Sequence, residues 1–99
     1  MTKSEYNFGS RAAESAYLIV KYTSESHYAN SLIVAYTNYN NAQQYWGEAM
    51  DSRKVLDDAR IDANMLREKT LDLADKVYSD KMKELRATYN ATNEPSLRL

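Results

Sequence analysis

The sequence predicts an all-α protein in which two long helices fold back as a helical hairpin and pack in an oligomer or larger complex. Three observations carry this reading. Only two glycines and one proline interrupt 99 residues. Apolar residues of the second half recur three and four apart, and Trp46-Gly47 offers a break at the midpoint of the chain.

The first helix is expected over about residues 10–45. It contains a near-repeat, Tyr17-Leu-Ile-Val-Lys-Tyr-Thr23 against Ser31-Leu-Ile-Val-Ala-Tyr-Thr37, offset by fourteen residues. The β-branched and aromatic content also suits two strands with residues 24–30 as their turn. That turn holds neither glycine nor proline, whereas fourteen residues are two heptads and bring both copies onto nearly one helix face. Helix is the better reading. Leu18, Tyr22, Ala29, Leu32, Tyr36, Tyr39, Trp46 and Met50 follow a four-three spacing, broken by Glu25 and Gln43. Ala13, Ala16, Val20, Val34 and Ala35 make a second, weaker apolar side. One partner helix covers only one side, so a further chain is expected to complete the burial.

A turn is expected over about residues 46–51, where Gly47 permits a left-handed residue while Tyr45 and Trp46 cover the junction. The second helix is expected over about residues 52–90, with a tail at 91–99. Leu56, Ala59, Ala63, Leu66, Thr70, Leu73 and Val77 form its apolar stripe, which then drifts to Tyr78, Met82, Leu85 and Tyr89. Arg53, Arg60 and Arg67, with Lys69, Lys76 and Lys83, mark the solvated face. Leu66 and Leu73 are therefore expected to be buried.

Ninety-nine residues make one domain and leave little volume for an enclosed catalytic cleft. The chain has no cysteine, hence no disulfide framework and no thiolate metal site. A cytoplasmic or virion setting is expected over a disulfide-forming secreted one. The opening Met1-Thr2-Lys3-Ser4-Glu5 leads into no long apolar region, and the longest aliphatic runs fall far short of the roughly 18 residues that a membrane helix requires. Neither a signal peptide nor a transmembrane segment is expected.

Charge is divided unevenly. From Ser26 to Gly47 there is no Asp, Glu, Lys or Arg, and seven of the nine tyrosines precede Trp46. Rings and hydroxyls without charges suit an interface better than open water. Tyr22, Leu32, Tyr36, Tyr39 and Trp46 are the expected anchors of that interface.

The sequence offers no catalytic constellation. His27 is the single histidine, and the positions one turn away hold Thr23, Ser24, Asn30 and Ser31, none of them a second metal ligand of the usual kind. Asp58 with Asp62, and Asp72 with Asp75, stand close on a charge-striped helix and read as solvated pairs. No glycine-rich phosphate loop or Gly-x-Ser-x-Gly elbow is present. Lys76, Lys81, Lys83 and Arg86 are interleaved with Asp75, Asp80 and Glu84, which cancels most of the field a nucleic acid would need. No catalytic residue, metal site, cofactor or nucleic-acid partner is expected.

Two helices in about a hundred residues, Trp46-Gly47 at the midpoint, and the opening Met1-Thr2 with Asn7-Phe8 resemble the small WxG helical-hairpin proteins of type VII secretion. That family places one residue between Trp and Gly, which are adjacent here, and ends in a Tyr followed four residues later by an acid. In this chain Tyr78 is followed by Met82 and Tyr89 by Asn93. The resemblance implies a dimerising hairpin that accompanies larger secreted proteins. The residues themselves point first to a non-enzymatic structural or assembly subunit of a virion or other large particle, acting on other protein chains as a homo-oligomer or complex subunit. The alternative is a small helical binding module, a secretion partner or an inhibitor of a host protein.

Overall fold

The computed structural model describes residues 1–46 and 50–93, with the side chains of 45, 46, 50, 92 and 93 outside that description. Helix α1 runs Lys3–Trp46 and helix α2 runs Met50–Asn93. They pack against each other along their length as an antiparallel hairpin measuring 79 × 17 × 9 Å over its Cα atoms. Neither copy of the near-repeat is a strand, because both lie inside α1. Trp46, Met50 and Asp51 belong to the helices rather than to the expected turn, and residues 91–93 continue α2 where a tail is expected, while residues 47–49 and 94–99 lie outside the described residues.

Helix α1 starts at Lys3, well ahead of the Ser10 expected from apolar periodicity, because polar groups close its first turn. The Thr2 hydroxyl accepts from the Glu5 amide at 3.1 Å, and the Glu5 carboxylate accepts from the Thr2 amide at 3.2 Å. This reciprocal pair satisfies donors that a helix start otherwise leaves open. The Thr2 backbone and then its hydroxyl hold the Glu5 carboxyl below its ordinary value.

The seam between the helices repeats every eleven residues. Tyr6, Tyr17, Tyr28 and Tyr39 are spaced by eleven on α1, as are Leu56, Arg67, Tyr78 and Tyr89 on α2. Tyr6, Tyr17 and Tyr28 of α1 meet Tyr89, Tyr78 and Arg67 in reverse order. Tyr6 packs on Tyr89 with ring centroids 5.0 Å apart, and Tyr17 packs on Tyr78 at 5.6 Å. The Arg67 guanidinium lies 4.1 Å from the centre of the Tyr28 ring. Eleven residues in three turns is about 3.67 per turn, close to the 3.6 of a straight helix, so the seam keeps facing its partner over the whole length.

Small residues bring the helices close. Ala13, Ser24 and Ala35 recur at the same period beside the α1 tyrosines, and Ser24 is buried. A Cβ at Gly9 would stand 2.8 Å from Leu85 Cδ2, so the absence of a side chain there lets Leu85 lie against the backbone. Gly9→Ala gains about 1 kcal/mol of helix propensity and displaces only the tip of a flexible leucine, so its melting temperature should stay close to the parent's. Gly9→Val should instead lose about 1–3 kcal/mol through overpacking, visible as a lower midpoint in a circular dichroism melt.

The buried apolar residues among those described are Leu56, Ala74, Met82 and Leu85, all on α2. The drift of the α2 stripe toward Tyr78, Met82, Leu85 and Tyr89 matches the structure, since Met82 and Leu85 are buried and the two tyrosines are half-buried. Its middle does not. Leu66 and Leu73 are each 62% exposed and Val77 is 60% exposed, so the expected burial of these residues is corrected for the hairpin alone. At the eleven-residue period, Arg67, Ala74 and Tyr78 take the inward positions, and the heptad-spaced leucines rotate onto one broad face.

Candidate functional site

The two rims of the seam differ in chemistry. On one, polar groups cross between helices: Arg67 stands 3.6 Å from Glu25 and takes up the Asn64 side-chain oxygen at 2.7 Å. On the same rim the Arg60 guanidinium stands 5.9 Å from the Tyr36 ring centre. The Tyr17 hydroxyl donates to Asp75, and Arg53 bonds to the Tyr39 hydroxyl, which also accepts from Gln43 at 2.8 Å. Glu25 and Tyr36 are eleven apart on α1, as are Arg53, Asn64 and Asp75 on α2, so these contacts form one polar ladder.

The bond to Asp75 pushes the Tyr17 hydroxyl above its ordinary value of 10.0. A phenol stabilised in its protonated form contributes stability that is fully present below 10.0 and is lost as pH rises through the folded-state value. The parent should therefore melt higher than Tyr17→Phe at neutral pH, with the gap closing in strongly alkaline buffer. An unchanging gap across that range would mean the bond is not made. The Tyr39 hydroxyl, and after it Asp57, push the Arg53 guanidinium above its ordinary value.

The opposite rim is an apolar groove. Its wider part, of about 1010 Å³, is lined by Phe8, Ala12, Ala16 and Val20 of α1 and by Leu73 and Val77 of α2. It continues through Val20 and Thr70 into a narrower part lined by Ile19, His27, Ser31 and Leu66. Phe8 is 77% exposed, and no residue of the polar ladder other than Tyr17 and Arg67 of the seam reaches this groove. Burial of a large aromatic and five aliphatic side chains has been left undone.

Of the residues expected to anchor an interface, Tyr22 is exposed, Leu32 and Tyr39 sit half-buried between the helices, and Tyr36 lies on the polar ladder under Arg60. The Trp46 side chain lies outside the described residues. Tyr22, Leu32, Tyr36 and Tyr39 differ in exposure and contacts, and the groove draws on residues from both halves of the chain. Ala13, Ala16 and Val20 of the expected second apolar side line the groove, whereas Phe8 and Ile19 belong to neither apolar side expected from the sequence.

His27 is exposed on the narrow part of the groove, and the described residues hold no group of three or more metal-binding side chains. Asp75 is engaged by Tyr17, while Asp58, Asp62 and Asp72 are exposed. Lys76 reaches forward to Asp80 at 3.2 Å and Lys81 to Glu84 at 4.0 Å. No described helix is long and apolar enough to cross a membrane. No family model, curated protein or solved structure matches the chain.

Proposed function

We infer that the chain is a non-enzymatic assembly subunit that acts by packing its helices against other copies or other chains, as a component of a virion or comparable large particle. The observation that supports this reading is the apolar groove on a hairpin only one helix thick. Among the described residues no third element covers Phe8, Leu66, Leu73 and Val77, and a partner supplies one. The exposed Tyr22 and Ile33, away from the groove, give such a subunit a second surface for contacts within a particle.

Sedimentation velocity on the purified chain tests this. A mass of at least twice 11.4 kDa at micromolar concentration is the expected result. A folded monomer under the same conditions would favour the second reading, a binding module that receives a helix of a different protein, in the manner of a secretion partner or inhibitor. The elongated groove, wide at one end and narrow at the other, is the feature that favours it.

A further inference from the structure

We propose that two copies of this chain pack groove against groove in antiparallel orientation, about a two-fold axis that crosses α2 between Leu71 and Asp72. The proposal rests on the assembly reading above and specifies its first contact. Its ground is a palindrome on the open face of α2, Asp62, Leu66, Thr70, Leu73, Val77 and Lys81, whose spacings of four, four, three, four and four read the same in both directions.

A two-fold operation about the centre of that row sets Leu66 against Val77, Thr70 against Leu73, and Asp62 against Lys81, each twice. The apolar positions meet apolar or small ones, and the ends meet with opposite charge. An isologous contact requires this self-complementarity, and a row with like charges at its two ends lacks it. Lys81 lines the groove, and its intrachain contact to Glu84 is long and exposed, so its charge is available. On α1 the same axis passes between Thr23 and Ser24, where small side chains permit close approach.

The area is adequate. Phe8, Ile19, Val20, Leu66, Leu73 and Val77 are exposed by 39% to 77%, which at roughly 200 Å² per large side chain amounts to about 700 Å². A standard interface covers about 800 Å² on each partner, and the residues around the groove supply the remainder.

The chain has no cysteine of its own, so single cysteines report the register directly. Leu66→Cys and Val77→Cys, mixed and oxidised, should give a covalent dimer. Either alone should give little, because in this register each lies roughly 16 Å along the axis from its own counterpart. Thr70→Cys alone, next to the axis, should cross-link. All three positions are off the seam, and a parent-like helical spectrum checks that each variant folds. In the uncross-linked protein, Asp62→Lys should weaken the dimer about tenfold, and Asp62→Lys with Lys81→Asp should restore it.

If the parent sediments as an oligomer but Leu66→Cys and Val77→Cys cross-link no better together than apart, the antiparallel register is wrong while the assembly reading stands. If the parent is a folded monomer, both fall. Loss of the dimer in Asp62→Lys without recovery in the double variant also overturns the pairing.

Discussion

Replacing Leu85 by alanine is expected to remove about 2–5 kcal/mol, enough to unfold much of the population in the absence of denaturant. Leu85 is one of four buried apolar residues among those described, and it fills the space that Gly9 leaves open on α1. Its loss leaves a cavity between the two helices, and the described residues offer no third layer to collapse into it. A small domain has on the order of 5 kcal/mol to lose, and this one buries less than most. Leu56→Ala should behave alike, since Leu56 is 3% exposed at the other end of the seam. Leu66→Ala and Leu73→Ala are the controls: measured in urea at concentrations where the chain is monomeric, each should shift stability far less. Equal losses at all four positions would mean that the seam is misplaced by a turn.

The contrast among these leucines also marks how far the sequence could be read. Helix content and the pairing of two long helices were legible because so few residues interrupt the chain and because the two-heptad offset keeps both copies of the near-repeat on one face. The rotation of α2 about its axis was legible only in part. A stripe of Leu56, Ala59, Ala63, Leu66, Thr70, Leu73 and Val77 follows the apolar residues, and apolarity misleads where the inward positions are Arg67 and Ala74. Arginine reads as solvent-facing, yet Arg67 turns inward because Tyr28 offers it a ring face, Glu25 a charge and Asn64 a carbonyl. Such a site depends on residues nearly forty positions away, which no local periodicity reports.

The signal that would have fixed the rotation was the spacing of tyrosines. Tyr6, Tyr17, Tyr28 and Tyr39 announce the seam, but Tyr22, Tyr36 and Tyr45 interleave with them and hide the period. The start of α1 was missed for a different reason. Thr2 and Glu5 form a capping pair three apart ahead of Tyr6, a polar signature rather than an apolar one. The α1 wall of the open groove was legible in part, since Ala13, Ala16 and Val20 of the second apolar side line it. Its place followed once α2 was rotated correctly, because that rotation carries Leu66, Leu73 and Val77 beside Phe8 and Val20.

The melting temperature of the parent protein is expected to depend strongly on its concentration. The hairpin has a radius of gyration of 22.4 Å, against about 13 Å for a compact domain of a hundred residues, so little of its surface is removed from water by its own folding. No described side chain is fully buried. Helix α1 adds little on its own account, since its uncharged stretch is rich in Asn, Ser, Thr and Tyr, residues of indifferent helix propensity. Its persistence as a helix of 44 residues has to come from packing, and one partner helix covers one face. If a second chain covers the other, folding and association share their free energy, and a hundredfold dilution withdraws about 2.7 kcal/mol per dimer, or about 1.4 kcal/mol per chain. At about 4–8 °C per kcal/mol for a chain of this size, the midpoint should fall by roughly 5–10 °C between the two ends of that series. Circular dichroism melts over two decades of concentration measure this directly. A midpoint that stays fixed would show that the hairpin stands on its own seam, and the energetic case for assembly would be lost with it.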